Sequence, residues 1–292
     1  MDIVITYVNG LDPVWQQDYE RHTNIPILEK RFRDWGTLRF LFRGIEKNMS
    51  FIKNVFLVVS HESQVPEWVN RKEVRVVLHG DIIPREYLPT FNCNPIEMHL
   101  HRISGLGEEF LYFNDDMYPM LPCHETDFFR QGKGVIGMGY HWIATNMYKH
   151  ICRNSNRLAR KIAGLQPSLR FLRPQHICSP MLKSICEEVY CKANNEIRSS
   201  LSRTRTENDF NQYLYLDYMY LNGRIINEKI SKKHISVGAA SSNSIKKALL
   251  HPTKKLICIN DVHLSEKKYT NLRETILNTF EQVFPHQSKY EK

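Results

Sequence analysis

The sequence predicts an α/β fold in which a mostly parallel sheet is flanked by helices and interrupted by a helical insertion. Strand-like and helical segments alternate along the first part of the chain, as they do in doubly wound sheets. The middle of the chain is helical in pattern, and an apolar strand returns near the carboxyl terminus. The predicted strands are residues 2–8, 55–60, 74–79, 110–113, 135–138 and 256–259.

The clearest helix of the sequence follows Asp34, which we interpret as its N-cap. Leu38, Leu41, Phe42 and Ile45 then fall at positions i, i+3, i+4 and i+7. This spacing places the four apolar side chains on one face of a helix, which we expect to pack against the sheet.

The middle of the chain departs from this alternation and is more basic. Residues 227–254 are polar and rich in Lys and Ser, which favours a long loop or a mobile lid. We therefore predict a core of residues 1–140 plus 255–292, with a helical insertion and lid-like loop over 141–254. Helices are predicted within the insertion at 141–163, 179–191 and 207–222.

Composition narrows the class of protein. The chain has 292 residues, and its net charge of +9 indicates an anionic partner: nucleic acid, a phosphate-bearing substrate or an acidic membrane surface. It has no apolar run of about eighteen residues and no signal-peptide pattern, so we expect neither a transmembrane helix nor export. Its seven cysteines form no C-x-x-C pair, which favours reduced thiols in a cytoplasmic protein.

Acidic residues directly follow two of the predicted strands. Asn114, Asp115 and Asp116 follow the strand at 110–113, and Asn260 and Asp261 follow the last strand. Open α/β sheets bind ligands at the carboxyl ends of their strands, and Mg²⁺ favours one or two carboxylates together with phosphate oxygens. A plain turn at 114–116 and a helix N-cap at 260–261 are the structural alternatives.

Other candidate residues are individually weaker. The segment that contains Asn9, Gly10 and Asp12 follows the first strand, where nucleotides often bind, but it lacks the G-x-G-x-x-G pattern and also fits a simple turn. Arg39 and Arg43 lie four residues apart and form either a phosphate fork or a solvated basic face.

Two further side chains and one pair complete this group. Glu97 and His101 have the i, i+4 spacing of a ligand pair or of an ordinary helix contact. His176 and Arg205, in the insertion, are site candidates whose ordinary alternatives are a surface His and a solvated Arg.

Taken together in order, four segments of the chain closely resemble the Stealth family. That family comprises bacterial capsular-polysaccharide phosphotransferases and the catalytic core of the animal lysosomal-enzyme N-acetylglucosamine-1-phosphotransferase. The first segment carries Tyr7 and Asn9 where many bacterial members have Trp and Asp. The resembling segments are residues 2–13, blocks between 31 and 116 (31–34, 38–39, 89–92, 96–97, 101–103 and 114–116), His176 with Arg205 and Asp209, and 260–261.

The resemblance implies a Rossmann-like, GT-A-like core that transfers a sugar 1-phosphate, of an N-acetylhexosamine type, from a UDP-sugar to a hydroxyl of a glycan. The products would be UMP and a phosphodiester-linked capsular polysaccharide. By position, His176, Arg205 and Asp261 match active-site residues, and Asp115 and Asp116 match the central acidic motif; these five are the implied catalytic residues. The implied substrate-binding residues are Asn9, Gly10, Asp12, Arg39, Arg43, Asn92, Glu97, His101, Asn114, Asp209 and Asn260.

The resemblance also implies a mechanism and its cofactor. Mg²⁺ or Mn²⁺ would be held by Asp115, Asp116 and Asp261. Arg205, together with Arg39 or Arg43, would neutralise the charge of the phosphates. The acceptor hydroxyl would attack the β-phosphorus, and either His176 or a carboxylate would accept its proton.

Two rival functions give different products or partners. A conventional UDP-sugar glycosyltransferase would release UDP and form a glycosidic bond. A basic nucleic-acid-binding module is disfavoured because the positive charge is dispersed and the strand ends are acidic, so we expect no nucleic acid partner. We expect the basic insertion and the lysines near residues 229–255 either to make peripheral contact with the inner face of the cytoplasmic membrane or to guide an anionic glycan acceptor.

Overall fold

The computed structural model describes residues 1–28 and 30–292. Its strands are β1 (Asp2–Thr6), β2 (Asn54–Val59), β3 (Val74–Leu78), β4 (Glu109–Asn114), β5 (Met117–Pro119), β6 (Phe129–Arg130), β7 (Lys133–Val135), β8 (Met138–His141), β9 (Phe171–Pro174), β10 (Ser179–Leu182), β11 (Ile225–Ile226), β12 (Lys232–Ser236) and β13 (Leu256–Asn260). Its α-helices are α1 (Pro13–His22), α2 (Glu29–Phe32), α3 (Leu38–Asn48), α4 (His79–Ile82), α5 (Cys93–His99), α6 (Met147–Ile162), α7 (Lys183–Lys192), α8 (Asn194–Ser200), α9 (Tyr213–Leu221), α10 (Ser242–Leu250) and α11 (Glu266–Val283).

The central sheet has the strand order β10-β4-β1-β2-β3. Strand β1 pairs in parallel with β2 and β4, β2 pairs in parallel with β3, and β10 runs antiparallel to β4. The central strands are apolar along nearly their whole length and are buried on both faces, as expected for a parallel sheet covered by helices. The predicted fold class, a mostly parallel Rossmann-like sheet flanked by helices, is confirmed.

Helix α3 packs on this sheet with the predicted apolar face. Leu38, Leu41, Phe42 and Ile45 are all buried. The predicted N-cap, however, is wrong: the helix begins at Leu38, after Thr37 rather than after Asp34. Gly36 has a left-handed φ of 73°, and this turn separates Asp34 from the helix.

The insertion contains strands as well as helices, which corrects the purely helical prediction. Residues 179–182 form β10, an edge strand of the central sheet, rather than the start of a helix. Helix α6 begins at Met147 because β8 occupies the residues up to His141, and α9 begins at Tyr213.

The predicted lid-like loop over 227–254 is also wrong. Strand β12 in this segment pairs in parallel with β13, and helix α10 packs against α11. The strand buries Ile235, and the helix buries Ile245 and Leu249, so the segment contributes to the hydrophobic core despite its polar composition.

A second sheet places the last strand, β13, beside the carboxyl end of β4 in the central sheet. Its order is β12-β13-β5, with β13 antiparallel to β5. The backbone N–H of Ile259 donates to the backbone oxygen of Asp116 at 2.9 Å. The residues that follow β13 therefore lie beside the residues that follow β4, although the two strands belong to different sheets.

Candidate active site

One cleft opens where the strands of the central sheet end. It is bordered by the residues after β1, β2, β3, β4 and β13, by the segment 30–38, and by the segment 90–93. Of the residues predicted from sequence, the cleft brings together Asn92, Asn114, Asp115, Asp116, Arg205, Asn260 and Asp261. Ligands bind at this edge in open α/β sheets because the strand ends converge there.

Carboxylates form one wall of the cleft. Burial raises the pKa of Asp115 well above its usual range, and the neighbouring charges of Asp116 and Asp34 raise it further. Burial also raises the pKa of Asp116, to about 6. The carboxyl groups of Asp115 and Asp116 therefore ionise less readily than usual, and a bound cation would favour their charged forms.

The contacts of Asp116 leave room for a ligand. Its Oδ2 atom accepts a hydrogen bond from the Cys258 thiol at 3.4 Å, whereas its buried Oδ1 atom has no hydrogen-bond partner among the described residues. A buried oxygen without a partner is costly in a folded protein, and a metal ion or a substrate hydroxyl would satisfy it.

Asp261 lies in the same cleft but is held by other side chains. Its Oδ2 atom accepts a hydrogen bond from Trp35 Nε1 at 3.0 Å, and Arg33 Nη1 lies 3.8 Å from its Oδ1 atom. Within residues 1–28 and 30–292, no group of three or more His, Cys, Asp and Glu side chains could hold a metal ion. Asp261 thus does not complete the predicted three-carboxylate metal site with Asp115 and Asp116.

Arginines form a basic wall of the same cleft. Arg205 donates to the Cys93 sulfur at 2.6 Å, and Arg31 lies close enough for the charge of Arg205, together with burial, to lower the pKa of Arg31. In the described structure neither guanidinium forms a salt bridge with a carboxylate. Cys93 and the buried carboxylates Glu97 and Asp209 raise the pKa of Arg205, but neither carboxylate forms a salt bridge with it. Two neighbouring guanidinium groups without salt bridges are suited to a phosphate or diphosphate.

A buried polar network positions Arg205. Asp209 accepts hydrogen bonds from Asn92 at 2.7 Å and from Asn94 at 2.8 Å, and it also accepts from the Thr206 hydroxyl at 2.6 Å. These contacts tie the turn that carries Arg205 to the start of α5. Asp209, predicted to bind substrate, is 1% exposed and does not line the cleft, so its contacts are structural.

The predicted phosphate fork of Arg39 and Arg43 is wrong. Arg43 is buried, donates to both carboxylate oxygens of Glu291, at 2.8 and 2.9 Å, and to the backbone oxygen of Phe284. It is therefore unavailable to a substrate. Arg39 lies outside the cleft with its guanidinium carbon 5.3 Å from the centre of the Trp68 ring.

The segment after β1 has a structural role, and none of its three predicted residues lines the cleft. Asp12 caps α1 by accepting from the backbone N–H groups of Val14 and Trp15. The Asn9 backbone exchanges hydrogen bonds with the Gln64 side chain. A side chain at Gly10 would place its Cβ 2.5 Å from the backbone oxygen of Phe32, so glycine allows the segment 30–35 to approach β1.

Glu97 and His101 do not act as a pair. Buried Glu97 accepts from the backbone N–H of Gln212 at 2.9 Å and from the Tyr112 hydroxyl at 3.3 Å. Burial lowers the pKa of His101 to about 3, and its ring packs against Tyr190. Neither residue lines the cleft, so both predicted substrate contacts are wrong in this structure.

His176 lies outside the cleft, in a separate basic group. Its Nδ1 atom is 3.3 Å from the Tyr213 hydroxyl oxygen, its ring centre is 6.1 Å from that of His234, and its backbone oxygen accepts from Lys232 Nζ. Burial lowers its pKa to about 4, and the charges of Lys232 and His234 act in the same direction. His234 is the strand partner of Cys258, whose thiol contacts Asp116. His176 is therefore linked to Asp116 through its neighbour His234 and through Cys258.

Arg31, Asp34 and Trp35 are cleft residues that sequence reasoning did not select. Asp34 was interpreted as a helix cap, but its Oδ2 atom accepts from the Tyr7 hydroxyl at 3.0 Å in the cleft. Arg31 and Asp34 belong to the second resembling segment, and that was the signal that could have identified them.

Fold and cleft together define a Rossmann-like α/β protein whose cleft at the strand ends has an acidic and a basic wall. Residues 31–136 match the family model of Stealth protein CR2, conserved region 2, and residues 247–292 match that of Stealth protein CR4, conserved region 4. The chain belongs to the Stealth family, and the resemblance of the sequence is confirmed.

Similar proteins match all or most of the chain. The receptor polysaccharide phosphotransferase WefC of Streptococcus oralis is 31% identical over 100% of this chain and 99% of its own length. The capsular polysaccharide phosphotransferase WcwK of Streptococcus pneumoniae is 30% identical over 100% of this chain and 99% of its own. The capsular polysaccharide phosphotransferase fcs1 of Haemophilus influenzae is 30% identical over 92% of this chain and 80% of its own.

Proposed function

We propose that the protein transfers a sugar 1-phosphate from a UDP-sugar to a hydroxyl of a glycan, releasing UMP and forming a phosphodiester. Its relatives are polysaccharide phosphotransferases that match the whole chain, so this protein is an enzyme of that class in capsule or exopolysaccharide synthesis. These relatives do not favour the glycosyltransferase or the nucleic-acid-binding alternative. Beyond this enzyme class, we propose a UDP-sugar as the donor, an N-acetylhexosamine as its sugar, and the catalytic residues named below.

The observation that carries this proposal is that one cleft combines basic and acidic groups. Arg31 and Arg205 form no salt bridge with a described carboxylate, and Asp115 and Asp116 line the same cleft. Phosphoryl transfer requires mainly positioning and neutralisation of charge on the transferring group. The arginines would bind the diphosphate, and the carboxylates would lie near the β-phosphorus.

The carboxylate wall fits a divalent cation. The pKa of Asp115 is raised by burial and by Asp116 and Asp34, which indicates an electrostatic cost that Mg²⁺ or Mn²⁺ would remove. We assign the cation to Asp115 with phosphate oxygens as further ligands. Such an ion supplies charge neutralisation on the phosphoryl oxygens.

We assign the acceptor proton to Asp116, because Asp116 lines the cleft and its Oδ1 atom has no hydrogen-bond partner among the described residues, whereas His176 does not line the cleft. The hydroxyl oxygen forms a bond to the β-phosphorus, and its proton passes to Asp116 Oδ1. The bond between the β-phosphorus and the α,β-bridging oxygen breaks, and that oxygen leaves with UMP. The bond between the sugar and its phosphate remains intact.

We place the reaction in the cytoplasm, because all seven cysteines are free thiols and are suited to a reducing compartment. No described helix is long and apolar enough to cross a membrane.

The nucleotide product tests the proposed function. The purified protein is incubated with a panel of UDP-N-acetylhexosamines, an oligosaccharide primer and Mg²⁺, and the nucleotides are separated by chromatography. We expect UMP in amounts equal to the new phosphodiester. UDP as the only nucleotide product would identify a glycosyltransferase and contradict the proposal.

A further inference from the structure

One exposed face of the insertion combines basic and apolar side chains. Residues 140–180 contain no Asp or Glu. We call the exposed part of this region the insertion surface; it comprises residues 140–143, 169–170 and the solvent-facing side of α6. Seven cations occur between residues 140 and 180: Lys149, Arg153, Arg157, Arg160, Lys161, Arg170 and Arg173.

Most of these charges lack acidic partners. Lys161 forms a salt bridge with Glu196. The other six form no salt bridge with a described acidic residue. The insertion surface therefore presents a positive potential that an anionic partner would neutralise.

Large apolar side chains project from the same face. Trp142 is 67% exposed, Ile143 is 69% exposed and Leu169 is 89% exposed. In the β8–β9 pair, His141 lies opposite Phe171, so the residues just after β8 and just before β9 leave the ladder at the same end. Side chains of this size seldom remain in water without a partner when they are clustered.

A small hollow beside these residues is lined by basic and aromatic groups. Arg160, Arg170, Tyr140 and Tyr220 contribute to it. The Arg170 guanidinium carbon lies 4.3 Å from the centre of the Tyr140 ring, and Arg160 Nε donates to the backbone oxygen of Gln166. Both guanidinium groups are thereby held near one another, and the hollow suits a phosphate group.

We propose that the insertion surface docks on a bilayer of anionic phospholipids, with a lipid phosphate between Arg160 and Arg170. Trp and aliphatic side chains favour the boundary between headgroups and acyl chains, and Lys and Arg bind anionic headgroups. A polar glycan would leave Ile143 and Leu169 without apolar partners, and this favours the bilayer over a polysaccharide.

The surface adjoins the cleft. Met147, the first residue of α6, has its sulfur 4.0 Å from Arg31 Nη2 on the basic wall. Docking would therefore hold the cleft beside the membrane. This inference concerns a separate surface, and vesicle binding can succeed or fail independently of UMP release.

Vesicle sedimentation tests the proposal with the full chain. Vesicles of phosphatidylglycerol and phosphatidylcholine are compared with vesicles of phosphatidylcholine alone. We expect binding to the anionic vesicles that is at least about tenfold tighter than to the neutral ones. Equal or absent binding to both would overturn the proposal.

Two double variants separate the apolar and basic contributions. Trp142→Ser with Leu169→Ser, and Arg160→Gln with Arg170→Gln, should each weaken binding to anionic vesicles about tenfold. Matched controls are Ile25→Ser, which changes an exposed apolar residue elsewhere, and Lys246→Gln with Lys247→Gln, which removes two exposed charges from α10. All variants should keep the thermal midpoint of the parent. If the control variants lost vesicle binding to the same extent, binding would depend on net charge or nonspecific hydrophobic adsorption rather than on the insertion surface.

Tryptophan fluorescence and binding of a soluble anionic polysaccharide complete the test. We expect the tryptophan emission maximum to shift to shorter wavelength when anionic vesicles are added. Trp142→Phe should remove this shift but still bind the vesicles. If the variants bind vesicles normally but lose retention of a soluble anionic polysaccharide, the surface is a glycan site and the proposal fails.

Discussion

Asp116 is the residue at which the two sides of the proposed site meet. It lines the cleft, its Oδ2 atom accepts from Cys258, and its Oδ1 atom has no partner in the described structure. Arginines line the same cleft, and Cys258 links Asp116 to its strand partner His234 in the group around His176. A carboxylate at this position suits a group that receives the proton of the acceptor hydroxyl.

Substitutions at Asp116 and His176 should affect different kinetic constants. Asp116→Asn should lower kcat about 100-fold or more, because the variant loses its proton acceptor. His176→Ala should raise KM for the glycan acceptor about tenfold with little change in kcat, because the ring lies outside the cleft. Steady-state kinetics with varied acceptor measures both constants.

The stability of the Asp116→Asn variant is the control for this comparison. The substitution removes a buried carboxylate beside Asp115, so the thermal midpoint should stay the same or rise. If His176→Ala lowered kcat as severely as Asp116→Asn, the proton acceptor would be His176 rather than Asp116.

Arg31 should contribute to turnover rather than to stability. Arg31→Met removes a guanidinium that forms no salt bridge with a described carboxylate, and we expect kcat/KM to fall about 100-fold. Its thermal midpoint should match that of the parent. Arg85→Met, at an exposed position outside the cleft, is the matched control. Similar activity in the two variants would exclude Arg31 from the diphosphate site.

At the scale of elements, the end of the chain is anchored to α3 by one buried ion pair. The Arg43 side chain is 6% exposed and that of Glu291 is 1% exposed, and the two form a bidentate contact. Removal of one partner leaves the other charge buried without compensation, which is strongly destabilising.

Arg43→Met should therefore lower the free energy of unfolding by about 3 kcal/mol. Adding Glu291→Leu should recover most of this loss, because no buried charge then remains. Arg39→Met, on the same helix, should lower the free energy of unfolding by less than about 1 kcal/mol. Its guanidinium stacks on the face of the Trp68 ring, and such a contact contributes little at an accessible position. Urea unfolding measures all three changes, and a parent-like midpoint for Arg43→Met would contradict the argument.

Sequence patterns located the long apolar elements better than the short amphipathic ones. Strand β2 and helix α3 have continuous or clearly periodic apolar residues, and both were predicted. Strand β12 buries only Ile235 among its five residues, so its Lys and Ser residues favoured a loop. Its pairing with β13 depends on contacts that are distant in sequence, which a local pattern does not contain.

At the scale of the whole molecule, the proposed site is assembled from distant parts of the chain. Strand-end reasoning identified Asp115, Asp116 and Asp261, because the carboxyl ends of strands converge. The spacing of Arg39 and Arg43 misled, because the partner Glu291 of Arg43 is far along the chain and only the fold reveals that the charge is already paired. Neither argument selected Arg31, whose role depends on its proximity to Arg205 on the basic wall.

The central claim is that the acceptor attacks the β-phosphorus and leaves the bond between the sugar and its phosphate oxygen intact. A UDP-sugar labelled with ¹⁸O at the oxygen that joins the sugar to the β-phosphorus tests this directly by phosphorus NMR. We predict that the label enters the glycan phosphodiester and shifts its phosphorus resonance. Recovery of the label in released UDP would contradict the claim.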